Sequence, residues 1–137
     1  MSFSGNATCT SFKADLLARF ATDTFKIALY TSAASLDANT TVYSATNEVS
    51  GAGYTAGGGT LVAVAAVTSG TTALCDFDDY TFSGLTATSR GALIYNTSDS
   101  NKAVCVLDFG RDIVRVAQDL VITFPTPDAL NAIIKIR

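Results

Sequence analysis

Acid–base and nucleophilic catalysis need positioned titratable groups, and this sequence supplies few of them. It contains no histidine, which removes the Ser-His-Asp triad, the Cys-His pair and most zinc sites. Glu48 is its single glutamate. A Ser-Lys arrangement uses residues that are present, but no spacing in the sequence points to one. Aspartates alone could flank a sugar cleft, yet there is no Trp to form a sugar platform. The expectation is a protein that is not an enzyme, with no catalytic, cofactor-binding or metal-ligating residue and no cofactor.

Four weaker signals can each be read in two ways. The run from Gly51 to Gly59, GAGYTAGGG, resembles a phosphate loop in glycine content. It lacks the Gly-Lys-Ser/Thr ending and opens no helix, so glycines that permit positive φ or close backbone approach are the better reading. Asp76, Asp78 and Asp79 could hold Ca²⁺. No EF-hand glycine or terminal glutamate follows them, and a solvated turn is favoured. Arg90 opens the apolar run Gly91 to Tyr95 and needs an acceptor there. Glu48, just before the glycine loop, is the candidate partner that would pin that loop to a sheet; two independent surface charges are the alternative. Asn6, Asn39 and Asn96 begin glycosylation sequons, which a protein made in a cytosol would not have modified.

The three cysteines, Cys9, Cys75 and Cys105, are odd in number and lack C-x-x-C spacing. Free buried thiols are expected, with a Cys75–Cys105 bridge between neighbouring strands as the alternative.

The elements that must position these residues are mostly strands. Phe12, Leu16, Leu17 and Phe20 recur at helical spacing after a polar arm, residues 1–10, and predict one short helix. Ser11 is its expected cap, Asp15 suits its first turn, and its end falls near Ala21 to Asp23. Phe25, Ile27 and Leu29 alternate with Lys26, Ala28 and Tyr30 as in a half-buried strand. Residues 31–59 form a long polar loop, of the kind that usually makes contacts. Further strands are expected at Leu61–Val67, with apolar residues on both faces, and at Ala73–Phe77, Tyr80–Phe82, Arg90–Tyr95, Ala103–Phe109, Leu120–Phe124 and Ala132–Ile136. Ser69-Gly70, Ser83-Gly84, the run 96–101, Pro125 and Pro127 punctuate them. The fold class is therefore mainly β, an antiparallel β-sandwich or jelly-roll-like barrel with one short N-terminal helix, spanning 1–137 as a single domain.

Composition bounds the partners. Hydrophobic residues make up 48% and charged residues 15%, against about 25% charged in a typical soluble domain. Much of the exterior must then be small, neutral or covered by another subunit. The net charge is −3 and the nine basic residues are scattered, so nucleic acid and anionic membranes are not expected partners. The longest apolar run, Leu61 to Val67, is far short of the roughly 20 residues a spanning helix needs. The N-terminal segment has neither a basic nor an apolar signal-peptide region.

Several runs in order carry a resemblance. Phe25-Lys26-Ile27-Ala28-Leu29-Tyr30-Thr31-Ser32 is followed by Glu48-Val49-Ser50-Gly51-Ala52-Gly53-Tyr54-Thr55-Ala56-Gly57-Gly58. Arg90 to Asn96, Val106 to Gly110 and Phe124-Pro125 come next, with Ser11-Phe12-Lys13 and Leu16-Leu17 ahead of them all. Together they resemble a family of small virion structural proteins of tailed phages. One departure is Asp79-Tyr80-Thr81-Phe82, where the family often shows Trp. The resemblance implies a capsid decoration (cement) protein. It would be a trimer in contact with itself and the major capsid protein, located in the virion after synthesis in the host cytoplasm. A neck, tail or fibre component is the nearest alternative, and a receptor- or glycan-binding module using Tyr43, Tyr54 and the acidic cluster is another. The arm, the 31–59 loop and the edge of the last strand, Ala132–Ile136, are the expected contacts.

Overall fold

A computed structural model describes residues 5–137; the first four residues of the expected arm lie outside the described residues. The chain is mainly β, with two antiparallel sheets and one short helix near the N-terminus. It forms two compact units, each assembled from separated stretches of chain.

The first unit comprises the described residues of Met1–Thr22, with Ala63–Asp78 and Phe124–Arg137. Helix α1 runs from Thr10 to Leu16 and a 3-10 turn continues it over Ala18–Ala21. The α-helix stops at Leu16, and only the 3-10 turn reaches the expected end near Ala21; its start differs too. Cys9 is the cap and offers no side-chain bond; its carbonyl instead accepts from the Phe12 and Lys13 amides. Asp15 therefore falls in the last turn rather than the first.

The buried stripe is also rotated. Lys13 and Leu17 are buried, whereas Phe12 and Leu16 are 55% and 53% exposed. Leu17 packs with Ala73 and Cys75, flanked by Ala14, Phe20 and Ile134. Lys13 is buried as well, and its ammonium donates to the Thr71 carbonyl at 2.7 Å. That bond satisfies an amine which would otherwise be costly to bury.

The sheet of this unit has the order β3-β4-β7, with β3 at Ala63–Ser69, β4 at Thr72–Phe77 and β7 at Ile134–Ile136. Ser69-Gly70 forms the expected turn. β4 is buried along five of its six residues. β3 is mostly exposed, although apolar residues fall on both its faces. It is an edge strand carrying alanines, and only one side of it faces cover. β7 pairs with β4 of its own sheet.

The second unit comprises Asp23–Val62 and Asp79–Thr123. Its sheet has the order β2-β1-β5-β6. Here β1 is Phe25–Tyr30, β2 is Gly59–Thr60, β5 is Tyr80–Asn96 and β6 is Lys102–Ile122. Two expectations fail here. β1 is buried on both faces rather than one, because Ala28 and Tyr30 pack with Leu93 and Tyr95 beneath Ala34, Leu36 and Tyr43 of the long loop. In addition, the four short strands expected between 80 and 124 are two long ones. Ser83-Gly84 does not turn the chain but forms a bulge opposite Leu120–Gln118. Gly110, at φ +77, sits in a second irregularity between Asp108 and Ile113. Bulges absorb extra residues without ending the ladder, so polar and glycine positions that read as turns lie inside strands. The 96–101 run is the true hairpin turn.

Candidate functional site

The 31–59 loop is held as one clamp centred on Glu48. Both carboxylate oxygens accept from the Gly57 amide at 3.0 Å. Oε1 also accepts the Tyr43 hydroxyl at 2.6 Å. Tyr43 stacks on Tyr95, with ring centroids 4.5 Å apart, and the Tyr95 hydroxyl donates to the Gly57 carbonyl at 2.6 Å. The chain thus returns to Gly57 by two routes. Two further tyrosines anchor the loop: Tyr30 donates to the Ser44 carbonyl at 2.7 Å, and Tyr54 accepts from the Leu29 amide at 3.0 Å.

Glu48 therefore does pin the glycine loop, but not through Arg90. Arg90 lies 3.5 Å from Asp108. The Asp108 carboxyl is held below the usual range by the Gly110 amide first and by Arg90 second. Both side chains are exposed, and such pairs contribute little. The expected Arg90–Glu48 pair fails because a nearer acceptor is available across the β5–β6 ladder, where Gly91 faces Asp108.

The glycines act as spacers. Gly53, Gly57 and Gly58 have φ of +78°, +93° and +81°. A Cβ at Gly53 would meet the Gly84 carbonyl, and one at Gly58 would overlap the Ile27 carbonyl. The loop thereby lies directly on the sheet, and the Thr86 amide donates to the Ala52 carbonyl at 2.8 Å.

Burial raises the Tyr30 hydroxyl to about 12, with Glu48 a secondary cause. Burial also raises Tyr43, Tyr54 and Tyr95. The unfolded chain then releases these protons near pH 10 while the folded chain still holds them. The stability they contribute is complete below about pH 10 and is lost as pH rises toward 12. Alkaline titration followed by tyrosinate absorbance and circular dichroism should show ionisation and unfolding together. A gradual ionisation well below the unfolding transition would contradict this.

The acidic cluster does not hold together as expected. Asp76 is buried rather than in a solvated turn; its carboxylate accepts from the Phe77 amide at 2.9 Å and the Ile133 amide at 3.4 Å, tying the C-terminal segment to β4. Asp78 and Asp79 are exposed. Among the described residues, no group of three or more His, Cys, Asp or Glu side chains is arranged to hold a metal ion. Asn96 is buried and donates to Asp23 at 2.8 Å, so its sequon is closed to modification; Asn6 and Asn39 are exposed.

All three cysteines are free. Burial pushes the Cys75 thiol up to about 12, with Asp76 adding to it, and also raises Cys105. Thiolate is the reactive form. A thiol reagent at neutral pH should therefore modify exposed Cys9 promptly and Cys75 only after denaturation. Equal rates for the two would show that β4 opens readily.

Ser89 carries no signal in the sequence that would single it out. Its Oγ is fully buried and has no hydrogen-bond partner among the described residues. An unsatisfied buried hydroxyl costs roughly 1–3 kcal/mol. Ser89→Ala is expected to raise the urea midpoint, a gain of about 1 kcal/mol; a loss of stability would reveal a hidden partner.

Three surfaces remain open in the second unit. A cleft of about 320 Å³ is lined by Tyr30, Leu36, Arg90, Val106 and Asp108. The outer side of the β5–β6 ribbon exposes Val114, Val116 and Val121 at 59%, 68% and 52%. Along the same ribbon, Arg111 and Arg115 line a groove of about 430 Å³ that Val121 also borders. No helix is long and apolar enough to cross a membrane among the described residues. No protein-family model, curated protein or solved structure gives a significant match to this chain.

Proposed function

We propose that the protein is a structural subunit that acts by packing against other proteins, and specifically a capsid decoration protein of a tailed phage, seated as a trimer on the major capsid protein. The observation that carries the reading is the exposed side of the β5–β6 ribbon. Val114 faces Thr88 and Val121 faces Thr81, giving a β surface on which exposed valines and threonines lie together. Large apolar side chains concentrated on one ribbon are what a partner surface needs. The mechanism is burial of such surface across subunit boundaries, on the order of 800 Å² per partner for a stable contact, which opposes outward pressure from a packaged genome. The clamp on the long loop serves this role by presenting a rigid face, so little ordering entropy is lost on assembly.

A neck, tail or fibre component would use the same surfaces at lower copy number. A glycan-binding module draws less support, because the hydroxyls of Tyr43 and Tyr54 are committed to Glu48 and Leu29 inside the clamp. Quantitative mass spectrometry of purified particles separates these readings. Hundreds of copies per particle are expected for decoration, whereas roughly three to eighteen would indicate the neck, tail or fibres by their symmetry. Absence from particles would end the virion reading.

A further inference from the structure

The groove beside Arg111 and Arg115 carries a charge pattern that the fold uses only in part. The floor is apolar, made by Leu107, Phe109, Ile113 and Leu120. Among the described residues, the Arg111 guanidinium makes no hydrogen bond or ion pair, and it is exposed. Arg115 donates Nε to the Asp119 carbonyl at 3.0 Å and Nη1 to the Val114 carbonyl at 3.1 Å. Three of its five N–H donors are left over, and the two bonds fix the fork in place. The nearby Asp119 carboxylate accepts from the Gly84 amide.

Two guanidinium groups thus flank an isoleucine on one β-strand, as Arg111-x-Ile113-x-Arg115. The chain as a whole is acidic, at −3, whereas the groove is lined by two arginines and no acidic residue; exposed Asp112 and Asp119 lie beside it on the strand. Guanidinium forks match carboxylates and phosphates. A polyanionic nucleic acid would need many more cations than two against a negative molecule. A protein segment with a pair of carboxylates does not.

We propose that this groove docks an extended segment of a partner protein carrying two carboxylates on either side of an apolar residue. Arg111, Ile113 and Arg115 line one groove, and the period of the docked extended segment sets its pattern: its side chains at i, i+2 and i+4 share one face and span up to roughly 13 Å. The recognised pattern is therefore acidic-x-apolar-x-acidic, with the apolar residue over Ile113 and a carboxylate at each arginine. The inference rests on the reading of the protein as a subunit that works through protein contacts.

The test uses the full chain and a fluorescein-labelled synthetic peptide, Gly-Ser-Glu-Thr-Leu-Thr-Glu-Ser-Gly, followed by fluorescence anisotropy. Saturable binding is expected, at least about tenfold weaker when both glutamates become glutamines, and weakening as salt rises from about 50 to 500 mM. Arg111→Gln should reduce binding at least about fivefold at an unchanged melting temperature, since Arg111 supports no contact in the fold. Arg90→Gln, in the separate cleft, should leave binding unchanged. Equal binding of the glutamine peptide, or no saturation below about 1 mM, overturns the proposal. Tighter binding of an oligothymidine strand than of the acidic peptide would reassign the groove to nucleic acid. If the peptide fails to bind while particles carry the protein in hundreds of copies, the groove is wrong and the decoration reading stands. If the peptide binds but particles lack the protein, the reverse holds.

Discussion

Glu48→Ala is expected to cost about 2–4 kcal/mol, the loss of charged hydrogen bonds together with a buried amide left unsatisfied. The carboxylate holds the Gly57 amide and the Tyr43 hydroxyl. Gly57 is buried, so its amide has no water to turn to when the acceptor is removed. Tyr43 would lose the bond that sets its ring against Tyr95, and the loop covering Ala28, Tyr30 and Leu93 would loosen. Glu48→Gln keeps one acceptor oxygen and should cost less, about 1–2 kcal/mol. Arg90→Ala should leave the urea midpoint where it is, because its contact with Asp108 is long and exposed. Urea unfolding of the three variants, with limited proteolysis of residues 31–59, decides the matter. If Glu48→Ala and Arg90→Ala shift the midpoint equally, the clamp is misassigned and the two side chains act as a pair.

The contrast between these two residues illustrates what the sequence made legible. That Glu48 holds the glycine loop could be inferred from its position beside it, because a lone acidic residue next to many backbone amides has donors nearby. Its other partners could not, since Tyr43 and Tyr95 are 52 positions apart and meet only when the loop folds back over the sheet. β1 and β4 are readable as strands, although the alternation in β1 understates its burial, which the loop above it completes. β5 and β6 are not readable as single strands. Ser83-Gly84 and Gly110 carry turn chemistry, and only the partner strand reveals that the extra residues are accommodated as bulges. The helix stripe departs from its apolar spacing for a related reason. Lys13 looks like a solvent residue until Thr71 supplies an acceptor for its ammonium. Arg111 and Arg115 escape notice in the sequence because two arginines four apart carry no signal beyond charge; the apolar floor between them exists only in the folded ribbon.

Gly58→Ala is expected to be the most damaging single methyl that the second unit can receive. At φ +81° an added Cβ alone costs roughly 1 kcal/mol. Steric overlap costs more than that. The new methyl would overlap the carbonyl of Ile27 and crowd the Ala28 Cα, all of it backbone. Backbone of a central strand cannot swing aside as a side chain can. β1 is hydrogen-bonded on both sides, through Ile27 to Gly59 of β2 and to Ile94 of β5, and Ile27 is fully buried. Relief therefore means lifting the glycine loop away from the sheet, which also parts Gly57 from Glu48 and Tyr95. A loss above about 4 kcal/mol, or failure to accumulate soluble protein, is expected from mechanisms of this kind. Gly70→Ala provides the control: its φ is +61°, but nothing lies within 4 Å of the added methyl, so only the conformational cost of about 1 kcal/mol applies. The two variants, compared by urea midpoint and soluble yield, separate close approach from backbone conformation. Similar losses at both positions would mean that the loop does not lie directly on β1, and the rigid face that the assembly role requires would lack its foundation.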